Sequence, residues 1–168
     1  MGRTVVQPLQ GGESMIPVLL LAITLAGAGL AETETETFET ETETEMSREI
    51  DSDLFNVAHL MMAEAGYTDS TERRLTASVL LNRVDSDLFP DTIGECLYQS
   101  GQYSTVRAGG PFWWEPTEDC WKDAEDLLKQ WYETGDTDLP ENVLYQSRGP
   151  LGSGTYLISE WGQYFCYQ

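Results

Sequence analysis

The chain has 168 residues, with 29 acidic side chains against 9 basic ones, one histidine and three cysteines. A net charge of −20 would repel the phosphates of nucleic acids and of anionic lipids. The cysteines and the histidine show no zinc-ligand spacing, and three cysteines are too few for a disulfide-rich miniprotein. The length predicts one domain with extensions. From the charge and the residue spacing we expect no nucleic-acid partner and no metal, and we expect no cofactor.

The N-terminal segment is typical of a targeting signal. An apolar run over 16–25 is followed by small residues, a pattern that fits cleavage after Ala31. The run is shorter than the roughly 20 residues that a membrane-spanning helix needs. We therefore predict a signal peptide over 1–31 and a location outside the cytoplasm. The alternative is an uncleaved N-terminal anchor, through which alone we expect contact with a membrane.

Residues 32–46 alternate threonine with glutamate. In a strand both faces would be polar, and neighbouring carboxylates repel one another, so this segment has nothing to bury. The pattern predicts a disordered acidic linker over 32–46, followed by a folded domain over 47–168.

The spacing of apolar residues in the folded part predicts four helices and three short strands. Asp69 and Glu72 have the spacing of a capping box at the start of the second helix, and Gly66 and Gly135 should end the first and the fourth. The predicted helices cover about 54–65, 69–84, 90–97 and 117–135, and the strands 143–146, 156–158 and 164–167. The fold class is therefore α+β and mainly helical, with an aromatic-rich loop between the third and fourth helices.

Among the residue types that carry chemistry, the carboxylates are the best candidates. Nucleophilic catalysis is improbable because the chain has no GxSxG motif and its one imidazole, His59, has apolar neighbours that indicate a structural role. Glu64 follows two methionines and an alanine at the end of the first helix. Partial burial and the negative potential of a helix C-terminus favour a protonated carboxyl group, as a general acid requires. The alternative is an ordinary surface glutamate at a helix end.

Aromatic and amide side chains in the loops indicate a sugar-binding cleft. Trp113 and Trp114 lie in the aromatic loop, and rings of this kind stack on sugar faces. The alternative is that such rings belong to the core. A carboxyl group beside aromatic loops is typical of an enzyme that cleaves glycans.

Five segments occur in a recognisable order: AEAGY, VLLNRV, FPDTIGECLYQSGQYSTV, LPENVLYQS and WGQYFCY. They are spread over nearly all of 54–168, and in this order the chain resembles the cell wall hydrolase family that includes the spore cortex-lytic enzymes. The resemblance implies a lysozyme-like domain that acts on peptidoglycan. With the predicted signal, we expect a secreted or cell-wall-associated enzyme, and we expect it to be a monomer. Its partner would be the glycan strand of peptidoglycan, cut next to N-acetylmuramic acid by a lytic transglycosylase or glycoside hydrolase.

The resemblance also implies roles for individual residues. The family's acid catalyst falls on Glu64. Trp113 and Trp114 lie outside the segments that carry the resemblance, and they are candidate platforms for sugar rings because of their residue type alone. The other expected substrate-binding residues are Gln102, Tyr103 and Ser104 on one wall of the cleft and Tyr145 and Gln146 on the opposite wall. We expect structural roles for Asn82, as a bridge between elements, and for Arg83, as the partner of an acid.

The chain departs from the family pattern at Thr68, where many relatives carry a second glutamate. A single carboxylate favours transglycosylation over hydrolysis, because the attacking hydroxyl group belongs to the substrate and no water must be activated. Two further alternatives stay open: a peptidoglycan-binding module with little or no cleavage activity, and a structural surface protein.

The three cysteines allow one disulfide and one thiol, in three possible pairings. A bridge between Cys96 and Cys120 would brace the aromatic loop if their backbones come close enough.

Overall fold

A computed structural model describes residues 33–168, with side chains from residue 47 onward. The helices are α1 (Thr33–Ala65), α2 (Ser70–Val84), α3 (Ile93–Tyr98) and α4 (Glu118–Thr134). Two 3₁₀ turns, Ser104–Val106 and Pro111–Trp113, lie between α3 and α4, and the strands are β1 (Val143–Ser147), β2 (Gly154–Ile158) and β3 (Tyr164–Tyr167). The chain is thus α+β and mainly helical, as predicted. Over 33–168 no helix has both the length and the apolar character needed to cross a membrane.

The first helix is much longer than the sequence pattern predicts. It begins at Thr33 and runs without a break to Ala65. Residues 33–46 are therefore helical, which corrects the prediction of a disordered linker there. Extending a helix that is already packed avoids the cost of nucleation, and glutamate is a good helix former. The predicted signal peptide or anchor over 1–31 lies outside the described residues.

The main core lies between α1, α2 and α4, which all pack on one another. These helices bury aliphatic side chains on their facing sides, as the apolar spacing predicts. Fully buried members include Val57, Leu60 and Met61 of α1, Leu80 and Leu81 of α2, and Leu127 of α4. Burial of a side chain of this size contributes about 1.5–3 kcal/mol, so this core holds the end of α1 in a defined position.

The corner between α1 and α2 is tightly packed. A Cβ atom on Gly66 would lie 2.6 Å from the carbonyl oxygen of Met62, so a glycine is needed where the chain leaves α1. Farther along, the Arg73 guanidinium donates to the Thr68 carbonyl at 2.7 Å and forms a buried ion pair with Asp123 of α4 at 2.6 Å. Both contacts fix the direction in which α1 ends.

The predicted helix ends are largely confirmed. Asp69 caps α2 by accepting a hydrogen bond from the backbone N–H of Glu72 at 2.9 Å. Thr117 caps α4 in the same way, and Gly135 ends that helix with a left-handed φ of 76°. The short helix α3 begins at Ile93, after the cap residue Thr92, rather than at position 90.

The C-terminal strands form an antiparallel sheet in the order β1-β3-β2, with β3 in the centre. In this register Tyr145 faces Cys166 and Gln146 faces Phe165 across β1 and β3. One face packs on α2 through a second apolar cluster made of Leu75, Val79, Leu139, Val143 and Phe165. The sheet therefore lies against the α2 helix, which also packs on α1.

Candidate active site

Glu64 lies in the last turn of α1, one residue before the helix ends. Its carboxylate oxygen Oε1 accepts a hydrogen bond of 2.6 Å from the Thr105 hydroxyl group. Thr105 belongs to the first 3₁₀ turn, so this bond joins the end of α1 to the aromatic loop. The side chain of Glu64 is exposed, and the predicted partial burial is therefore wrong. The loop contacts the Glu64 carboxylate through one hydroxyl group, and the rest of the carboxylate is open to solvent.

The GQYS segment precedes Thr105 and divides into buried and exposed side chains. Tyr103 is buried, whereas Gln102 and Ser104 are exposed. Burial raises the pKa of Tyr103 to about 12; the positive charge of Arg83 opposes this rise and the charge of Glu64 adds to it. The phenol therefore lies within electrostatic range of both groups and stays protonated at neutral pH.

Arg83 is the buried centre around which several of the recognised segments meet. Its Nε donates to the Leu144 carbonyl at 2.8 Å. The guanidinium carbon lies 5.1 Å from the ring centre of Phe89, 5.2 Å from that of Tyr103 and 6.0 Å from that of Tyr145. Cation–π contacts of this kind replace the carboxylate partner that the sequence led us to expect, so the predicted acid pairing is wrong.

Asn82 bridges elements, as predicted. Its amide nitrogen donates to the carbonyls of Pro140 and Val143 at 2.8 and 3.1 Å, and its oxygen accepts from the Thr137 hydroxyl at 2.8 Å. This side chain fastens α2 to the segment that leads into β1. Through β1 it fixes the place of Tyr145.

The two predicted residues of the opposite wall differ in their surroundings. Tyr145 is half-buried and shares the Arg83 guanidinium with Tyr103, so the structure brings these two tyrosines together. Gln146 is also half-buried, and its side-chain oxygen is buried without a hydrogen-bond partner among the described residues. No described hydrogen bond connects Gln146 to the other candidate site residues.

A cavity of about 290 Å³ is lined by the chain neighbours of Thr105, although neither Thr105 nor Glu64 lines it. Its wall comes from the end of α3 and from the loop that follows, and it includes both Tyr103 and Ser104. The remaining lining residues are Tyr98, Gln99, Ser100, Gly101, Val106 and Arg107. A larger cavity of about 440 Å³ is lined by parts of α1, α3 and α4, and none of the predicted site residues contributes to it. We assign the active site to the smaller cavity because it shares a loop with the partner of Glu64.

The two candidate tryptophans lie on and next to the second 3₁₀ turn. Trp113 is 50% exposed and Trp114 is 51% exposed, so both rings are open to a ligand. The turn is held from below, since His59 donates from Nδ1 to the Phe112 carbonyl at 2.6 Å and Phe112 is fully buried. The structural role predicted for His59 is confirmed, and that role is to support the turn that carries the tryptophans.

A second carboxyl group, on Glu72, is buried in the first turn of α2. Burial raises the pKa of this carboxyl group, while the Ser159 hydroxyl and, more weakly, Arg148 oppose the rise. Thr68, which stands where the resemblance led us to look for a second glutamate, donates its hydroxyl hydrogen to the Ala65 carbonyl at 2.7 Å. None of these contacts of Glu72 and Thr68 involves Glu64.

The cysteines do not pair. Cys96, Cys120 and Cys166 are all buried free thiols, so the proposed bridge between Cys96 and Cys120 is absent. The aromatic loop is braced by packing and by the His59 hydrogen bond instead. In the part of the chain that the structure describes, no group of three or more acidic, histidine or cysteine side chains is arranged as a metal site.

Comparison with known proteins agrees with the motifs. Residues 69–139 match the family model described as Cell Wall Hydrolase. The chain is 29% identical over 94 residues to the spore cortex-lytic enzyme of Oceanobacillus iheyensis, an alignment that covers 56% of this chain and 32% of the relative. The resemblance predicted from the sequence is thereby confirmed. The chain spans about a third of the length of this relative.

No solved structure matches the chain significantly, so the lysozyme-like character of the fold stays a prediction. The residues matched to the family include the GQYS segment and both tryptophans but begin after Glu64. Thr105 and Arg107 also lie within this match, and the sequence reasoning assigned neither of them a role. Neither residue belongs to a motif that would single it out in the sequence. Their positions near Glu64 become visible only when the loop is seen to fold onto α1.

Proposed function

We propose that this chain is a secreted peptidoglycan-degrading enzyme that cleaves the glycan strand next to N-acetylmuramic acid, with Glu64 as its acid and base. One observation carries the proposal: the Thr105 hydroxyl holds the Glu64 carboxylate at 2.6 Å, and the residues on both sides of Thr105 line a cavity. Similarity to the Cell Wall Hydrolase family supports the same class of reaction. A carboxyl group fixed at the edge of a cleft has the position that general acid catalysis requires.

The reaction that fits a single carboxylate is lytic transglycosylation. Glu64 gives its proton to the glycosidic oxygen as the bond from that oxygen to C1 of the muramyl sugar breaks. The C6 hydroxyl oxygen of the same sugar then bonds to C1, and the carboxylate takes up the hydroxyl proton. The products are a free 4-hydroxyl group and a 1,6-anhydro sugar, and no water is consumed. Hydrolysis would need a second carboxylate to activate water, and the described hydrogen bond to Glu64 comes from a hydroxyl group instead.

The surroundings of Glu64 support this role. Thr105 occupies Oε1, which leaves Oε2 for the transferred proton. A glycan bound in the cleft would cover the exposed carboxyl group and exclude water from it. The protonated phenol of Tyr103 stands within electrostatic range of the carboxylate that forms during the reaction.

The remaining site residues would bind the sugar rings. The half-exposed rings of Trp113 and Trp114 suit stacking on sugar faces outside the cavity. Gln102 and Ser104 are exposed on the GQYS loop and offer polar groups to hydroxyl and acetamido substituents. Tyr145 and Gln146 complete the proposed opposite wall.

The cellular setting is part of the same proposal. A signal peptide over 1–31 would export the chain, and the domain over 47–168 would act outside the cytoplasm as a monomer on the cell wall. In the alternative case of an uncleaved N-terminal anchor, residues 33–46, which extend α1, would separate the domain from that anchor. Contact with a membrane would then be limited to that segment.

The alternative function is a peptidoglycan-binding module with little or no cleavage activity. The open carboxylate of Glu64 and the hydroxyl at Thr68 are the observations that favour it. Both functions predict retention on insoluble peptidoglycan, and they differ only in whether the wall is cut.

The test compares the wild-type chain with Glu64→Gln in the clearing of a peptidoglycan suspension. The amide keeps the size of the side chain and its ability to accept from Thr105, but it cannot donate a proton as an acid. We expect clearing by the wild type, none by the variant, and equal retention of both on the wall. Equal clearing by both proteins would remove Glu64 from the mechanism. Retention of both without clearing would favour the binding module.

A further inference from the structure

The cavity of about 290 Å³ has one positively charged side chain in its lining, Arg107, in the same loop as the Thr105 hydroxyl that contacts Glu64. Arg107 is exposed, and its guanidinium group forms no hydrogen bond or ion pair within residues 47–168. By contrast, Arg73 and Arg74 are paired with carboxylates of α4 and of the loop after it, and Arg83 is buried among aromatic rings. Within residues 47–168 the Arg107 guanidinium at the cavity therefore has no partner, and it lies two residues after the threonine that contacts Glu64.

The loop that carries Arg107 has a fixed backbone. The N–H of Gly110 donates to the Arg107 carbonyl at 2.8 Å, and Gly109 adopts a left-handed φ of 74°. A Cβ atom on Gly110 would lie 2.9 Å from the Arg107 carbonyl oxygen and closer still to that of Thr105. The turn is thus closed so tightly that the base of the Arg107 side chain has one position relative to Thr105.

A neutral sugar ring does not need a cation for recognition, whereas a carboxylate does. In a chain of net charge −20, an anionic group is repelled at long range and must find a local positive charge. The planar fork of a guanidinium matches the two oxygens of a carboxylate. The chemistry of this wall therefore suits a glycan with a carboxylate substituent.

We propose that Arg107 binds a carboxylate of the substrate and selects for glycan strands that carry one near the cleaved bond. This inference rests on the proposed function and deepens it. Two sources supply such a group: the lactyl carboxylate of a muramyl residue without its peptide, and the carboxylates of an attached stem peptide. Arg107 acts in substrate binding and takes no part in proton transfer.

The test uses Arg107→Glu with Lys129→Glu as the matched control. Lys129 is exposed on α4 and lines neither cavity, and both substitutions change the net charge equally. Retention is measured in the Glu64→Gln background, and KM and kcat are measured with Glu64 intact. The probes are peptidoglycan with its stem peptides, the same strands after amidase removal of the peptides, and strands whose carboxylates have been converted to amides.

We expect Arg107→Glu to raise KM by about three- to tenfold on carboxylate-bearing strands, the range for a single partly exposed ion pair, with little change in kcat. Amidated strands should bind the variant and the control equally. An effect on peptide-free strands identifies the lactyl group, and an effect confined to intact strands identifies the peptide.

The inference and the proposed function fail in different ways. Equal KM values for Arg107→Glu and Lys129→Glu on all strands would overturn the inference while cleavage stands. A rise in KM for Arg107→Glu that is as large on amidated strands as on carboxylate-bearing strands would also overturn the inference, because the effect would not depend on a carboxylate. Absence of cleavage by the wild type on every strand would instead overturn the proposed function, and charge-selective retention in the Glu64→Gln background would still decide the role of Arg107.

Discussion

Gly110 offers a sharp test of whether the aromatic loop holds Glu64. In Gly110→Ala the new Cβ would lie 2.9 Å from the Arg107 carbonyl oxygen, where ordinary contact begins at 3.4 Å, and closer still to the Thr105 carbonyl oxygen. The loop must therefore move by about 0.5 Å or more to accept the methyl group. A displacement of that size takes the 2.6 Å hydrogen bond from Thr105 to Glu64 beyond the usual limit of about 3.0 Å.

The expected result is a loss in stability and in activity together. Overpacking of this kind costs about 1–3 kcal/mol in the free energy of unfolding. Gly94→Ala is the matched control, because its Cβ would meet nothing closer than 3.9 Å, and alanine stabilises a helix by about 0.5–1 kcal/mol relative to glycine. Urea unfolding and the rate of peptidoglycan clearing are the two assays. Unchanged stability and clearing in Gly110→Ala would refute the reasoning.

Three further predictions concern the scaffold. Asn82→Ala should lower the free energy of unfolding by about 1–3 kcal/mol in urea, because two backbone carbonyls lose their donor; a change within error would contradict the bridging role. The pKa of Glu72 is raised above its ordinary value of 4.5, so its contribution to stability is fully present below that pH and is lost as pH rises through the raised pKa. As the pH rises, the unfolding midpoint should therefore fall less steeply in Glu72→Gln than in the wild type. Equal slopes for the two proteins would contradict this prediction. Finally, Cys96, Cys120 and Cys166 should all react with a thiol reagent in unfolded protein without reductant, whereas a single reactive thiol would indicate a disulfide.

The sequence predicts the helices and strands well because their signals are local. Apolar spacing and caps such as Asp69 and Thr117 depend on residues a few positions apart, and the structure has them where expected. The N-terminal half of α1 was missed because a segment without an apolar face gives no helical signal of its own. It is helical as a continuation of a packed helix, which a local pattern does not show.

The site was predicted in part. The order of the motifs indicated Glu64 and the GQYS loop, but the loop approaches α1 through Thr105, forty-one positions away in the chain. The surroundings of Arg83 were also missed: its guanidinium lies among a carbonyl group and aromatic rings instead of beside a carboxylate, and the sequence does not say which rings surround it. The exposure of Glu64 depends on how far the loop covers the end of α1, which is a property of tertiary packing.

The most direct test of the account is mass spectrometry of the soluble products that the chain releases from purified peptidoglycan. If Glu64 alone serves as acid and base, the wild type should release fragments that end in a 1,6-anhydro sugar, and Glu64→Gln should release none. Fragments that have gained a water would contradict the single-carboxylate mechanism, and equal amounts of product from the variant would contradict the role of Glu64 itself.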